Sequence, residues 1–233
     1  MNFLDKSGMG NTLWHFGDSF GLWGTAPKGF SSYIADYFGL ELKHMCVAGN
    51  SNDLILYDLI EHLNYIKEGD RIMFNWSFFP RTSFVNKEHK VQSFNQIYTQ
   101  PNKSYEEHGI ETNEYMQFLI NESDGFNKQY TIKLFRNIIN PIIKNLHNKG
   151  IPTTSCFISN ITKGVNGRWI EMIDIPTELE TANHIMWGNQ QSYLAVLQEF
   201  DLLEEGEHHH YKVDCQKELS ELWLENMTNH LKK

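Results

Sequence analysis

Short apolar runs alternate along the chain with longer segments in which apolar residues recur every three or four positions. The short runs predict strands over residues 12–16, 42–48, 71–77 and 151–158. The periodic segments predict helices over residues 27–38, 51–66, 128–149 and about 214–231. Weaker patterns predict a fifth strand over 168–175 and a helix around 189–203. Most of the chain therefore consists of strands and helices in alternation.

Glycine, serine and proline mark where several of these helices begin, end or bend. Gly39 and Gly69 follow the first two helical segments and predict their ends. Ser51 precedes the second segment and predicts its N-cap. Pro141 lies inside the third and predicts a kink, because proline lacks an N–H and its ring crowds the preceding turn.

The order of the elements predicts a single α/β domain over residues 1–233, with a mainly parallel sheet between two helical layers in a flavodoxin-like α/β/α arrangement. Ligand sites of such sheets lie outside the carboxyl ends of the strands. Chemistry is therefore expected just after residues 16, 48 and 77. Residues 78–127 are polar, dotted with aromatic side chains and weakly periodic, and they predict a long insertion near that site.

Composition and charge exclude several classes of protein. With 40% hydrophobic residues the chain can bury a full core, so it is not a disordered protein. The formal charge is −9 without any block of Lys or Arg, which argues against nucleic acid and anionic membrane surfaces as partners. No apolar leader or membrane span is visible, which predicts a cytoplasmic protein, with signal-independent export or association with a particle left open. Cys46, Cys156 and Cys215 show no paired spacing and are expected to be reduced.

Two short motifs carry residues suited to catalysis. Gly17-Asp18-Ser19 follows the first strand, where a serine hydroxyl can project over the sheet edge, although a plain turn or helix cap would use the same residues. Near the other end, Glu207 precedes His210 by three residues, so that its carboxylate could orient the imidazole.

Alternatives to this pair are present in the sequence. His208 and His209 compete with His210 as the base, and Asp214 or Asp18 could replace Glu207 as the orienting acid. No second ligand cluster at metal spacing accompanies the histidine run, so neither a metal nor another cofactor is predicted.

The order and placement of these motifs resemble the SGNH/GDSL hydrolases. The matching blocks are Gly17-Asp18-Ser19 after strand one, Gly49 after strand two, the end of strand three near Ser77, and Glu207 to His210 before the last helix. The resemblance implies the SGNH-hydrolase fold, with Ser19 as nucleophile, His210 as its general base and Glu207 in the position where the family usually has Asp. It also implies that the backbone N–H groups of Ser19 and Gly49 stabilise the oxyanion.

The third block departs from the family pattern. Ser77 occupies the position of the family's oxyanion-hole Asn, and Asn75 that of its Gly. Asn52, at the start of a helix, and Arg81, just beyond the strand, are candidate replacements that could bind the oxyanion or the substrate. A hydrogen-bonded hydroxyl at the strand end for Ser77 and a surface ion pair for Arg81 are equally consistent with the sequence.

The resemblance implies a serine hydrolase that cleaves a carboxylic ester of a small molecule or carbohydrate, and the polar and aromatic insertion suggests a carbohydrate O-acetyl ester. An acyltransferase on the same fold is one alternative, because the fate of an acyl-enzyme depends on whether water or another hydroxyl reaches it. A catalytically inactive module that binds a glycan or a protein is the other, because the third block departs from the family pattern.

Overall fold

A computed structural model describes residues 10–22, 28–77, 81–85, 91–95, 133–157, 161–163, 169–171, 197, 200–202 and 212–229. Its strands are β1 (Thr12–Gly17), β2 (Glu41–Cys46), β3 (Arg71–Trp76), β4 (Arg81–Val85), β5 (Val91–Asn95), β6 (Thr153–Phe157), β7 (Ile161–Lys163) and β8 (Trp169–Glu171). Its α-helices are α1 (Ser19–Leu22), α2 (Phe30–Phe38), α3 (Asn52–His62), α4 (Asn140–Asn148) and α5 (Gln216–Asn229). A π-helical turn (Phe135–Ile139) precedes α4 and a 3-10 turn (Val213–Cys215) precedes α5.

The main sheet has four parallel strands in the order β2-β1-β3-β6. Non-consecutive neighbours in a parallel sheet require crossover connections, and α2, α3 and α4 lie in these connections. This order corresponds to the first four strands of the flavodoxin-like arrangement. The predicted α/β class with a mainly parallel sheet is therefore confirmed.

Helices cover both faces of the sheet and create two separate cores. On one face, aromatic residues of β1 and β3 pack against α3 and the segment around α4; this core contains Phe16, Phe74, Trp76, Ile55 and Phe135, all 0% exposed. On the other face α2 and α5 pack against the sheet, and this core contains Leu13, Phe30, Ile34, Met73 and Trp223. Successive side chains of a strand point to opposite faces, so β1 and β3 each contribute to both cores.

The predicted helix boundaries agree with the structure in part. Gly39 ends α2 in the left-handed conformation with φ of 65°, as predicted. Ser51 occupies the N-cap position of α3, but its side chain makes no capping hydrogen bond. That helix ends at His62, before the predicted stop at Gly69. A 3-10 turn and α5 replace the single last helix expected from residue 214.

A π-helical turn, Phe135–Ile139, directly precedes the helix that begins at Asn140 and contains Pro141, where the sequence predicts a kink. Pro141 lies in the first turn of α4 and cannot donate a backbone hydrogen bond. The N–H of Asn140 bonds to the carbonyl of Phe135, five residues earlier, which widens the helix just before the proline. The distortion therefore has a local cause in the sequence.

One predicted strand pairs differently from expectation. Residues 169–171 are extended, but β8 pairs antiparallel with β7 in a separate two-stranded sheet and does not extend the main sheet. The predicted insertion contains another antiparallel hairpin, β4 with β5, and β4 contacts α3. The helix expected around 189–203 lies outside the described residues except at Leu197 and 200–202.

Two further expectations from the sequence concern the cysteines and membrane-spanning segments. The three cysteines are free and buried, as predicted. Among the helices of the described ranges, none has the length and apolar character that crossing a membrane requires.

Candidate functional site

Ser19 lies just beyond the carboxyl end of β1, the strand between β2 and β3 in the sheet. It is the first residue of α1, and 8% of it is exposed. The carboxylate of Asp18 accepts a hydrogen bond from the N–H of Phe20 at 3.0 Å, which shapes the turn from β1 into α1. The structure thus places the predicted nucleophile at the sheet edge where ligands of such folds bind.

Asp18 also joins the end of β1 to the end of β3. The Ser77 hydroxyl donates to the second carboxylate oxygen of Asp18 at 3.0 Å, and Asp18 and Ser77 are 0% and 1% exposed. A serine hydroxyl has a single proton, and in this geometry that proton is donated to a buried carboxylate. Ser77 therefore positions Asp18, which is the strand-end alternative that the sequence left open.

Asn52 connects the start of α3 to the same point. Its side-chain oxygen accepts from the N–H of Ser77 at 2.8 Å, and its amide NH₂ donates to the carbonyl of Ser77 at 3.1 Å. Only 4% of Asn52 is exposed, so water does not compete for these two bonds. Asn52 fixes the backbone of Ser77.

Gly49 lies in the loop between β2 and α3, where it adopts a φ of 78°. The next residue, Asn50, donates through its amide NH₂ to the carbonyl of Gly17 at 3.4 Å and to the carboxylate of Asp58 at 3.3 Å. Burial raises the pKa of Asp58, and the bond from Asn50 acts in the opposite direction. This loop is therefore held against the end of β1, beside the turn that carries Ser19.

Asn75 lies near the end of β3, and its side chain is on the face of the sheet that packs against α2 and α5. Its side-chain oxygen is 2.6 Å from His15 Nε2, and its NH₂ donates to Cys156 Sγ at 3.3 Å, with Asn75 and His15 both 0% exposed. Both ends of the amide therefore bind within the core that faces α2 and α5. Asn75 is therefore not one of the proposed oxyanion donors.

Burial favours the neutral forms of one histidine and two cysteines beneath the site. Desolvation, with a smaller contribution from the neighbouring His44, lowers the pKa of His15 to about 3. Burial raises the pKa of the Cys46 and Cys156 thiols well above the usual value, and the nearby Asp18 carboxylate acts in the same direction. Both thiols are therefore protonated at neutral pH.

The remaining predicted site residues are in β4 and in the C-terminal part of the sequence. Arg81 is the first residue of β4, opposite Asn95 in the hairpin. Glu207, His208, His209 and His210 lie outside the described residues, so their assignment as base and orienting acid remains a prediction. Asp214, an alternative orienting acid, is exposed in the 3-10 turn before α5.

Sequence reasoning missed two functions of residues in the recognised blocks. The sequence indicates a turn residue or a partner for a histidine at Asp18, but not its bond to Ser77. It also gives no role to Asn50, which holds the loop after β2 against Gly17. The signal for Asp18 was its place between Gly17 and Ser19. Nothing local identified its partner, which is 59 residues away in the chain.

Comparison with known proteins gave matches among solved structures. No family model and no curated protein matches the chain. The chain is similar to a protein assigned to the G-D-S-L family of lipolytic proteins from Desulfitobacterium hafniense, at 10% identity and a TM-score of 0.41, over 93% of this chain and 99% of that one. It is also similar to two structures of Axe2, an acetylxylan esterase from Geobacillus stearothermophilus, at 12% identity and TM-scores of 0.45 and 0.46, over 94% of this chain and 95% of that one.

Proposed function

We propose that the chain is a serine hydrolase of the SGNH/GDSL type that cleaves a carboxylic ester through an acyl-enzyme on Ser19. The observation that carries the proposal is the convergence of three loops at the carboxyl ends of β1, β2 and β3. Ser19 lies in the first of these loops and Gly49 in the second, while the third begins at Ser77, which is bonded to Asp18 and Asn52.

In the proposed reaction His210, oriented by Glu207, removes the proton of the Ser19 hydroxyl as its oxygen attacks the ester carbonyl. The backbone N–H groups of Ser19 and Gly49 stabilise the oxyanion, and the N-terminus of α3 adds a favourable field. His210 then protonates the leaving alcohol, and water releases the acid from the acyl-enzyme. The side chains of Ser77 and Asn52 hold the third loop in place.

The small number of donors has a measurable consequence. Loss of one oxyanion donor costs about a hundred- to a thousandfold in rate in enzymes of this kind. In the described part of the chain, the Ser77 hydroxyl and the Asn75 amide are committed to protein partners. We therefore propose that turnover is slow on unactivated esters unless a residue such as Arg81 supplies a further donor.

For the substrate we propose an O-acetyl ester of a carbohydrate. The support is the insertion at 78–127, which is rich in aromatic and amide side chains suited to contact with sugar rings. Its hairpin, β4 with β5, contacts α3, the helix whose first residue is Asn52. This contact supports the proposal that part of the insertion lies near the site.

The experiment that tests the proposal is intact-mass detection of a fluorophosphonate adduct on the purified chain. A single adduct is expected, and Ser19→Ala and His210→Ala are expected to abolish it, since the probe reacts only with an activated serine. Ser51→Ala is the matched control, because Ser51 is also a buried serine of these loops but lies outside the proposed reaction.

Absence of an adduct on the folded protein, or an adduct that persists in Ser19→Ala, would contradict the proposal. No adduct together with measurable glycan binding would favour the inactive binding module. If the adduct forms, acetylated xylooligosaccharides supplied with and without a second sugar will separate hydrolysis from acyl transfer, because the product masses reveal whether water or the second sugar received the acyl group.

A further inference from the structure

Two histidines and a cysteine meet at the carboxyl ends of β1 and β2, beneath α1. His15 of β1 is paired in register with His44 of β2, and Cys46 lies two residues further along β2, so the three side chains share one face of the sheet. One ligand atom from each, nitrogen or sulfur, lies within 4.8 Å of the others. His15 and Cys46 are buried, whereas His44 is exposed and offers a path from solvent.

The hydrogen bonds of the two imidazole rings place the proton of each ring on Nε2 and leave Nδ1 unprotonated. Asn75 turns its amide oxygen toward His15 Nε2, and an oxygen only accepts, so the proton of the neutral ring belongs on Nε2. The Nδ1 atom of His15 then carries a lone pair, is fully buried and has no hydrogen-bond partner among the described residues. His44 Nε2 lies 2.9 Å from the carbonyl of Gly21, which assigns the proton of that ring to Nε2 as well.

The backbone of α1 closes over this cluster because residue 21 is a glycine. A Cβ atom at Gly21 would lie 2.3 Å from Cys46 Sγ and 3.2 Å from His15 Nε2. The thiol of Cys46 makes a long bond, 3.4 Å, to the carbonyl of His15. The cluster therefore combines an unpartnered acceptor with a weakly bound thiol.

We propose that His15, His44 and Cys46 bind a divalent transition-metal ion, with Zn²⁺ as the ion best suited to two imidazoles and a thiolate. Binding releases the thiol proton of Cys46 to solvent, and a water molecule completes the four ligands. Bonds of about 2.0–2.3 Å in tetrahedral geometry hold ligand atoms roughly 3.5 Å apart, so the side chains draw together by about an ångström. The amide of Asn75 orients the buried ring, as groups behind metal-bound histidines commonly do.

This ion would fasten the ends of β1 and β2 directly below the turn that carries Ser19. The proposal does not depend on the hydrolase reaction, because its ligands are separate from the residues assigned to catalysis. It also explains why a fully buried histidine with an unsatisfied nitrogen is tolerated in the core.

Cobalt binding tests the proposal on the full-length chain after treatment with EDTA. Co²⁺ bound through a thiolate gives a charge-transfer absorption band that histidine and carboxylate sites cannot produce. We expect this band to saturate at one equivalent and to disappear when Zn²⁺ is added. Cys46→Ser is expected to abolish the band, and His44→Ala is expected to weaken binding by at least about tenfold.

Two controls separate this cluster from other metal-binding groups. Cys215→Ser removes a different buried thiol, and replacement of all three histidines 208–210 by alanine removes the run most prone to adventitious binding; both variants are expected to keep the band. Because His44 is exposed, His44→Ala is expected to keep its far-ultraviolet circular dichroism. The proposal is overturned if the parent chain gives no band, if Cys46→Ser retains it, or if folded His44→Ala binds Co²⁺ as tightly as the parent.

Discussion

Replacing Ser77 by alanine tests the contact that joins the first and third loops of the site. The change removes the hydroxyl that donates to the Asp18 carboxylate at 3.0 Å. Hydrogen bonds to charged groups contribute about 1.5–3 kcal/mol, and Asp18 is 0% exposed, so water cannot readily take the place of the hydroxyl. We expect the free energy of unfolding to fall by about 2–3 kcal/mol.

Ser51→Ala provides the matched comparison. Ser51 is also 0% exposed, but within the described ranges of the chain its hydroxyl has no hydrogen-bond partner, and it does not cap α3. Removing an unsatisfied hydroxyl costs little, so the stability of this variant should stay within about 0.5 kcal/mol of the parent or rise slightly.

Urea denaturation followed by tryptophan fluorescence measures both variants, with the slope of the transition checked for two-state behaviour. A double-mutant cycle that adds Asp18→Asn isolates the energy shared by the pair, and we expect a coupling of about 1–3 kcal/mol. Equal destabilisation by Ser77→Ala and Ser51→Ala, or a coupling energy indistinguishable from zero, would refute the reasoning.

Three further outcomes are expected. Gly21→Ala should lower the free energy of unfolding by about 1–3 kcal/mol, because its Cβ would lie 2.3 Å from Cys46 Sγ. The Cβ of Gly39→Ala would meet open space at a φ of 65°, so this variant should lose only about 1 kcal/mol. Equal melting temperatures for the two variants would contradict this. In EDTA, the free energy of unfolding should fall as the pH decreases from about 6.5 toward 3, since the pKa of His15 is about 3 in the folded chain and near 6.5 when unfolded. The expected slope is about 1.4 kcal/mol per pH unit. An unchanged slope in His15→Asn would exclude His15 as its source. Asp70→Ala should lower the free energy of unfolding by about 3–5 kcal/mol, because the buried carboxylate accepts hydrogen bonds from the N–H groups of Thr12 and Lys67 and from the Trp14 indole. Fluorophosphonate labelling of the folded variant should still proceed at the parent rate. A slower rate would show that the amino ends of the strands influence the site.

The architecture of the sheet followed from local patterns. The strands of the main sheet are short apolar runs, the helices between them carry apolar residues every three or four positions, and Gly39 ends its helix as its position indicated. These signals act within a few residues of one another, so they can be read along the chain. The alternation of strands and helices then restricts the topology to right-handed crossovers.

Pairing between distant segments was less predictable. Residues 169–171 are strand-like in sequence, but their partner is β7 rather than the main sheet. Propensity describes how well a segment suits a pleated strand and does not specify the neighbour with which it pairs.

The sequence by itself determined that Ser19, Gly49 and Ser77 follow consecutive strands of a parallel sheet, and hence that they lie along one edge. Only the tertiary structure decided what their neighbours do: Asn52 binds the backbone of Ser77, and the Asn75 amide binds within the core. Such contacts depend on strand register and on the face to which each side chain points. His15 and Asn75, for example, are 60 residues apart in the chain and 2.6 Å apart in the folded protein, and no local pattern encodes that distance.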